Sequence, residues 1–199
     1  MNSLKYKIKF LSDWAILSGN NTAGIDNRLL CDNKGFPYIP GKSIKGVFRE
    51  AFEEIIDILE LSDDDKKQAL RMFGKTKEDK KNNFKENGTL IFSNGEIDEK
   101  LKKEIFKLNE EERKFVLNEM SIVVPRTTID EDTNMSKEGA LAFIEFGRKG
   151  MEFNFTISKE NDWTAQEKDI IDYCRKYVKR LGAMRSRGKG KCKITLEEK

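Results

Sequence analysis

One segment constrains the fold more than any other. From about residue 43 to residue 60, Ile44, Val47, Phe48, Ala51, Phe52, Ile55, Ile56 and Leu59 recur at i, i+3, i+4 and i+7. That spacing places them on one stripe of an α-helix and demands a core to bury it. Before it, Tyr6-Lys7-Ile8-Lys9-Phe10-Leu11 alternates polar and apolar residues, as a strand with one buried face does. Pro37 and Pro40 fix an extended approach to the helix.

The same order returns at the other end of the chain. A second amphipathic helix opens on Thr164-Ala165-Gln166-Glu167, a capping box. It carries Ile170, Ile171, Cys174, Tyr177, Val178 and Leu181 on one face, with Gly182 expected as its cap. Cys192-Lys193-Ile194-Thr195-Leu196 reads as a closing strand. Between the two ends, Thr89 to Ser93 reads as a buried strand and Asp98 to about Phe115 as one or two small helices. Ser62 to Gly74 reads as a short helix, and Lys75 to Asn87, where hydrophobicity collapses, as a charged loop. Val123 to Asp130 is expected to be extended and Glu131 to Gly139 a polar tip. Ala140–Phe146 and Met151–Ser158 are expected to form a hairpin around Gly147-Arg148-Lys149-Gly150. Strand, helix, strand, insertion, strand, helix, strand is the split βαβ arrangement of an α+β, ferredoxin-like domain. At 199 residues the chain fits one such domain, residues 1–199, with an insertion over about 61–120.

Composition restricts the chemistry. The chain has no histidine, which removes Ser-His and Cys-His dyads, two-histidine ribonuclease chemistry and histidine zinc sites. Catalysis would have to run on carboxylates, Lys, Tyr or a bound Mg²⁺-type ion. Cys31, Cys174 and Cys192 are scattered, without metal-ligand spacing, and read as structural thiols of a reducing compartment. No apolar run is long enough to cross a bilayer, and Met1 to Lys5 lacks a secretory apolar region, so no membrane partner and a cytoplasmic location are expected. The net charge is only +3, so any polyanion surface must come from segregated charge.

Segregation is plainest in Gly182-Ala183-Met184-Arg185-Ser186-Arg187-Gly188-Lys189-Gly190-Lys191-Cys192-Lys193, which holds three glycines, five cations and no acid. Glycines let a backbone approach a ligand and offer N–H donors, while Arg and Lys neutralise phosphate oxygens. A helix cap followed by a solvated basic loop is the plainer alternative. Lys42, Lys45 and Arg49 flank the apolar stripe of the first helix near its positive end, while Glu50, Glu53, Glu54 and Asp57 lie on the far side. An ordinary solvated face is the alternative there. Gly41-Lys42-Ser43 fails as a nucleotide-binding P-loop: the position five residues before Gly41 is Phe36, and Pro37 and Pro40 lack donors. Asp26 could hold a divalent ion beside phosphate-binding cations, or could simply close an Asx turn. Asp63-Asp64-Asp65 reads as helix capping, and Trp14 and Trp163 as core or interface.

Gly24-Ile25-Asp26, Pro37-Tyr38-Ile39-Pro40-Gly41-Lys42-Ser43-Ile44-Lys45-Gly46 with Arg49, Met72-Phe73-Gly74, and Ser186-Arg187-Gly188-Lys189-Gly190 together resemble the RAMP superfamily of CRISPR-associated proteins, nearest to the type III (Csm/Cmr) backbone subunit. The resemblance covers roughly residues 5–60 and 120–196. It implies a ferredoxin-like (RRM-like) fold with a thumb β-hairpin over about 121–145, in a subunit that lines a crRNA, faces target RNA, and assembles with copies of itself and other effector subunits. It also implies metal-dependent cleavage of target RNA, with Asp26 matching the catalytic and metal-binding Asp, and Mg²⁺ or Mn²⁺ held jointly with RNA phosphates. The expected RNA-binding residues are Lys42, Ser43, Lys45, Arg49, Arg126, Gly182, Arg185, Ser186, Arg187, Gly188, Lys189 and Lys191. A non-catalytic RNA-binding subunit is the alternative; a crRNA-processing endonuclease, usually histidine-dependent, and a metabolite-binding ferredoxin-like domain are more remote ones.

Overall fold

The computed structural model describes residues 2–19, 25–56, 58, 66, 71–74, 88–127 and 141–197. A four-stranded antiparallel sheet organises them. Its strands are β1 (Asn2–Phe10), β2 (Ile91–Phe92), β5 (Glu152–Lys159) and β6 (Cys192–Leu196), side by side in the order β2-β5-β1-β6. Helix α1 (Gly41–Ile56) connects β1 to β2, and helix α4 (Ala165–Tyr177) connects β5 to β6. Two strand-helix-strand units interleaved in this way make the ferredoxin-like fold expected from the sequence. Helices α2 (Glu99–Lys107) and α3 (Glu110–Glu119) and a separate hairpin of β3 (Ser121–Arg126) and β4 (Ala142–Gly147) stand between the units.

Alternation sets which face is buried. Tyr6, Ile8 and Phe10 of β1 point one way, opposite Phe155, Phe153 and Ile194 on the neighbouring strands, and all are buried. Ile44, Phe48, Ala51, Phe52 and Ile55 of α1 and Ile170, Ile171 and Cys174 of α4 cover that face. A fully buried Leu-, Ile- or Phe-sized side chain contributes about 1.5–3 kcal/mol, so this layer is the main source of stability. The opposite face carries Lys5, Lys7, Lys9 and Lys193.

Three expectations change. The paired partner of β4 is β3, with Ser121 opposite Gly147 and Arg126 opposite Ala142, so β4 and β5 do not form a hairpin. The cause is Trp14, fully buried and stacked 4.5 Å from the Phe10 ring. It occupies the space beside Gly147, where a Cβ would lie 2.4 Å from its Cε2, and its backbone exchanges hydrogen bonds of 2.7 and 3.0 Å with Gly147. β4 is thereby drawn off the main sheet. Second, α4 ends at Tyr177, and Val178 is already extended, so Gly182 is not its cap. Third, the strand expected over Thr89–Ser93 shrinks to Ile91–Phe92 at the sheet edge, with Ile91 half exposed. It lies within the stretch expected as an insertion yet belongs to the sheet.

The remaining expectations fall out as follows. The Thr164–Glu167 capping box forms. The two small helices are α2 and α3, docked through Phe106 against Phe36 with ring centres 5.6 Å apart. Of the short helix expected from Ser62 to Gly74, residues 71–73 are described and helical; most of its remainder, the loop from Lys75 to Asn87 and the polar tip from Glu131 to Gly139 lie outside the described residues. Cys174 and Cys192 are buried free thiols pushed up to about 12 by burial, and Cys31 is pushed up to about 11, so none is a ready thiolate.

Candidate nucleic-acid interface

The glycine-bearing loop after α4 is laced to the segment that follows β1. The Ala183 amide donates to the Ala15 carbonyl at 2.8 Å, the Gly190 amide to Asp13 at 2.7 Å and the Leu11 amide to Lys191 at 2.7 Å. The Leu181 amide closes the loop on Gly190 at 2.8 Å. Two glycines are used up in this packing. Gly182 has φ +102° and a Cβ there would meet Ala15 O at 2.4 Å; Gly190 has φ +71° and a Cβ would meet Leu181 O at 2.2 Å. Gly188, at φ +81°, faces open space. Only Gly188 therefore keeps an exposed backbone that a ligand could approach. Between these glycines, Arg185–Arg187 make one 3₁₀ turn, and Met184 before it holds a left-handed backbone at φ 58°.

The N-terminus of α1 comes to this loop. Ser43 and Val47 share a surface cleft of about 270 Å³ with Ala15, Gly182 and Arg185. Gly41 lies against the sheet, where a Cβ would fall 2.2 Å from Phe92 O, and its amide donates to Asn94 Oδ1 at 2.9 Å. The glycine of Gly41-Lys42-Ser43 is thus required by helix–strand contact alone.

Apart from Arg126, the expected cations divide into three groups. Lys42, Arg187 and Lys191 are exposed and, among the described residues, carry no ion pair; Ser186 is exposed beside them. Arg185 and Lys189 are held by acids. Arg185 makes a two-pronged contact with Glu50 at 2.6 and 3.4 Å, and Lys189 reaches Asp13 at 3.0 Å while lying 4.8 Å above the Phe146 ring. Lys45 and Arg49 turn away from the loop. Lys45 Nζ donates to the Leu90 carbonyl at 2.8 Å and Arg49 Nη2 donates to the Phe73 carbonyl. Burial, and then the charge of Arg49, lower the Lys45 ammonium from its ordinary range. Arg126, at the end of β3, points Nη1 at Met184 Sδ, 3.9 Å away, which brings the hairpin to the glycine loop.

Asp26 sits against β4 near the far end of the hairpin ladder, where Pro125 faces Phe143 and Arg126 faces Ala142. Its amide donates to Phe143 O at 3.0 Å and its Oδ2 accepts from the Phe143 amide at 2.7 Å, so it grips β4 on the side away from β3. The side chain is exposed, and among the described residues only Phe143 donates to its carboxylate. No group of three His, Cys, Asp or Glu residues able to hold a metal occurs among the described residues. A divalent ion at Asp26 would therefore need most of its ligands from RNA phosphates and water.

Two residues here were not singled out from sequence. Asp13 accepts from the Lys149 amide at 3.2 Å through Oδ1 and from Lys189 through Oδ2, and its own carbonyl accepts from Gly190, so it ties three segments together. Partial burial raises its carboxyl, but the Lys189 and Lys149 hydrogen bonds prevail and hold it below the usual range. Glu50, assigned by helical spacing to the far side of α1, reaches Arg185 because the loop after α4 wraps that flank.

A ferredoxin-like domain whose paired glycine segments meet beside a detached hairpin defines the class. This chain belongs to the RAMP superfamily, whose model matches residues 7–193. Among solved structures it is similar to a chain of the type III-B Cmr-beta complex bound to cognate target RNA, at 15% identity with a TM-score of 0.71, covering 98% of this chain and 97% of that one. It is equally similar to a chain of the same complex in the apo state, at 16% identity, with TM-score 0.71 and the same coverage. A chain of a type IV-B CRISPR complex aligns at 15% identity with a TM-score of 0.62, covering 98% of this chain and 90% of that one. At these identities the likeness is one of fold. No curated protein sequence matches the chain. No helix among the described residues is long and apolar enough to cross a membrane.

Proposed function

We propose that this chain is a crRNA-binding backbone subunit of an RNA-guided CRISPR effector complex of type III, and that Asp26 supports metal-dependent cleavage of the target RNA. The observation that carries the RNA-binding reading is the meeting of the α1 N-terminus, the Met184–Gly188 turn and Arg126 on one surface. Lys42, Arg187 and Lys191 offer charge without a competing acid among the described residues, Gly188 offers an open backbone, and Ser43 and Ser186 offer hydroxyls. Such a surface binds phosphates without reading bases, as a subunit that accepts any guide must. Arg185 joins by exchanging Glu50 for phosphate oxygens, an exchange favoured because exposed ion pairs are weak, while Lys189 adds its charge from beside Asp13. Lys45 and Arg49 serve the fold in this reading, by holding the segment before β2. The matched structures come from CRISPR complexes, one of them bound to target RNA, which supports other effector subunits as partners; further copies of this chain along the guide are part of the proposal.

For cleavage, Asp26 is an exposed carboxylate fixed by the Phe143 amide of β4. Held with Mg²⁺ or Mn²⁺ and an RNA phosphate, it would favour loss of the neighbouring ribose 2′-OH proton to water; attack on the adjacent phosphorus would then expel the 5′-oxygen, which takes a proton from water, and leave a 2′,3′-cyclic phosphate. The absence of histidine leaves no imidazole to share that work. The test is labelled target RNA with the assembled complex. Wild type should cut, and EDTA or Asp26→Ala should abolish cutting with target affinity held within a few-fold, because one carboxylate beside phosphates adds little to binding. Undiminished cutting by Asp26→Ala would move catalysis elsewhere; no cutting by the wild type would favour the purely structural subunit.

A further inference from the structure

A second concave surface lies in the angle between α3 and the loop that precedes α1. It encloses about 620 Å³ and is walled by Arg28 and Leu29 on one side and by Arg113, Lys114 and Leu117 on the other. Arg28 stands two residues beyond Asp26 in the chain. Among the described residues no carboxylate pairs with Arg28, Arg113 or Lys114; the one contact of the Arg113 guanidinium is the Phe106 ring, 5.7 Å away.

Two acids also line this cleft, and they differ. Glu145 is held in place from within the fold, accepting from the Leu29 amide at 3.1 Å and from the Ser121 hydroxyl at 2.6 Å. Glu110 stands in the first turn of α3, where its charge complements the helix end. Three cations, Arg28, Arg113 and Lys114, face two acids, Glu110 and Glu145, so the cleft carries one net positive charge, and two of its three cations are guanidiniums shaped to grip phosphate oxygens in pairs. A solvated helix face would show i,i+4 pairing, yet Glu110 and Lys114, four residues apart, are not within ion-pair distance.

We propose that this cleft is a second track for the phosphodiester backbone of single-stranded RNA, separate from the glycine-loop surface, with Arg28, Arg113 and Lys114 as its phosphate contacts. On the reading that Asp26 meets the strand that is cut, this track holds that strand. The seam then has a division of labour: the guide lies on the glycine-loop side of Asp26, and the target backbone leaves on the α3 side. No aromatic side chain lines the cleft, so contacts there are to backbone rather than to stacked bases.

The test is the salt dependence of binding between the purified full chain and a fluorescein-labelled 20-nucleotide single-stranded RNA, followed by anisotropy. Each lost phosphate contact flattens log K against log salt by about 0.7 for a single strand. Arg113→Ala with Lys114→Ala should reduce the slope by about 1.4, and Arg185→Ala with Arg187→Ala by a similar amount, with the four changes additive. Circular dichroism should be unchanged for the α3 pair, whose side chains are at most half-buried. Glu110→Gln, which removes an acid from the rim, should tighten binding. An unaltered slope and affinity in the α3 pair overturns the second track whatever the glycine-loop pair does. An unaltered slope in the glycine-loop pair alone overturns the proposed guide-binding surface and leaves the α3 track standing. In the assembled complex the α3 pair should raise KM for target cleavage and leave kcat within about twofold; an unchanged KM would show that the track does not serve the cut strand.

Discussion

The glycines of Ser186-Arg187-Gly188-Lys189-Gly190 should separate into one that holds the fold and one that faces the ligand. Both have left-handed backbones, so alanine at either incurs about 1–2 kcal/mol from that conformation alone. At Gly188 the new methyl meets nothing within 4 Å, and the loss stops there. At Gly190 the methyl lands 2.2 Å from the Leu181 carbonyl oxygen, a backbone atom that cannot rotate aside. Relief requires moving the strand away from Leu181, which gives up the Leu181-to-Gly190 and Gly190-to-Asp13 hydrogen bonds. At about 1 kcal/mol each, these bring the total at Gly190 to about 3–4 kcal/mol, roughly 2 kcal/mol beyond Gly188→Ala. With a urea m-value of about 2 kcal/mol/M for a domain of this size, the two midpoints should differ by about 1 M. Urea unfolding followed by circular dichroism reads that difference. RNA affinity should rank the other way among folded protein, since a methyl at Gly188 occupies the space left for phosphate. Equal midpoints, or a lower midpoint for Gly188→Ala, would refute the division between the two glycines.

Three further outcomes follow from contacts elsewhere. Lys45→Ala should lower thermal stability by a few degrees and leave the salt slope of RNA binding unchanged, because Lys45 holds the Leu90 carbonyl; a flatter slope would return it to the RNA surface. Glu167 is buried against Lys159 at 2.6 Å; burial alone would raise its carboxyl, but the Lys159 and Thr164 hydrogen bonds prevail and lower it. The unfolded chain then binds this proton more readily, so the stabilisation is complete above about pH 4.3 and fades as pH falls through the depressed folded value. Acid titration of stability should accordingly be shallower in Glu167→Gln, and an identical acid limb would contradict the pairing. Gly147→Ala should lower stability by more than a typical surface change and alter near-ultraviolet circular dichroism, because its methyl collides with the Trp14 ring; an unchanged Trp14 signal would show that the ring does not lock β4 away from β5.

What the sequence made legible was local. Alternation in Tyr6–Phe10, the apolar stripe of α1 and the Thr164–Glu167 box each express a period or a cap that neighbours in sequence decide, and the ferredoxin-like order followed from them. The partner of β4 was not local. Gly147-Arg148-Lys149-Gly150 looks like a hairpin turn, and what prevents one is an indole contributed from position 14. Val178 and Leu181 keep helical spacing beyond Tyr177 and are buried, yet the chain there is extended, since burial and period do not by themselves require α backbone. The glycine loop and the α1 N-terminus were visible as motifs, and they do meet around Ser43 and Arg185. Their counter-charges were not visible. Asp13 is a single acid without a pattern and Glu50 one of four on the far side of α1, and only the tertiary path of residues 182–190 brings Lys189 and Arg185 to them. For the same reason helical geometry could place Lys45 and Arg49 together but not reveal the Leu90 and Phe73 carbonyls that occupy them.

The central claim is that this domain holds a guide RNA through the glycine-loop surface. Its most direct test is the nucleic acid that accompanies the chain when it is produced with its effector partners and a guide array, extracted and run on a denaturing gel. The account predicts RNA of discrete, uniform length with the wild type, and none above background with Arg185→Ala, Arg187→Ala and Lys42→Ala combined in a protein of unchanged circular dichroism. The same RNA retained in full by that folded variant would contradict it.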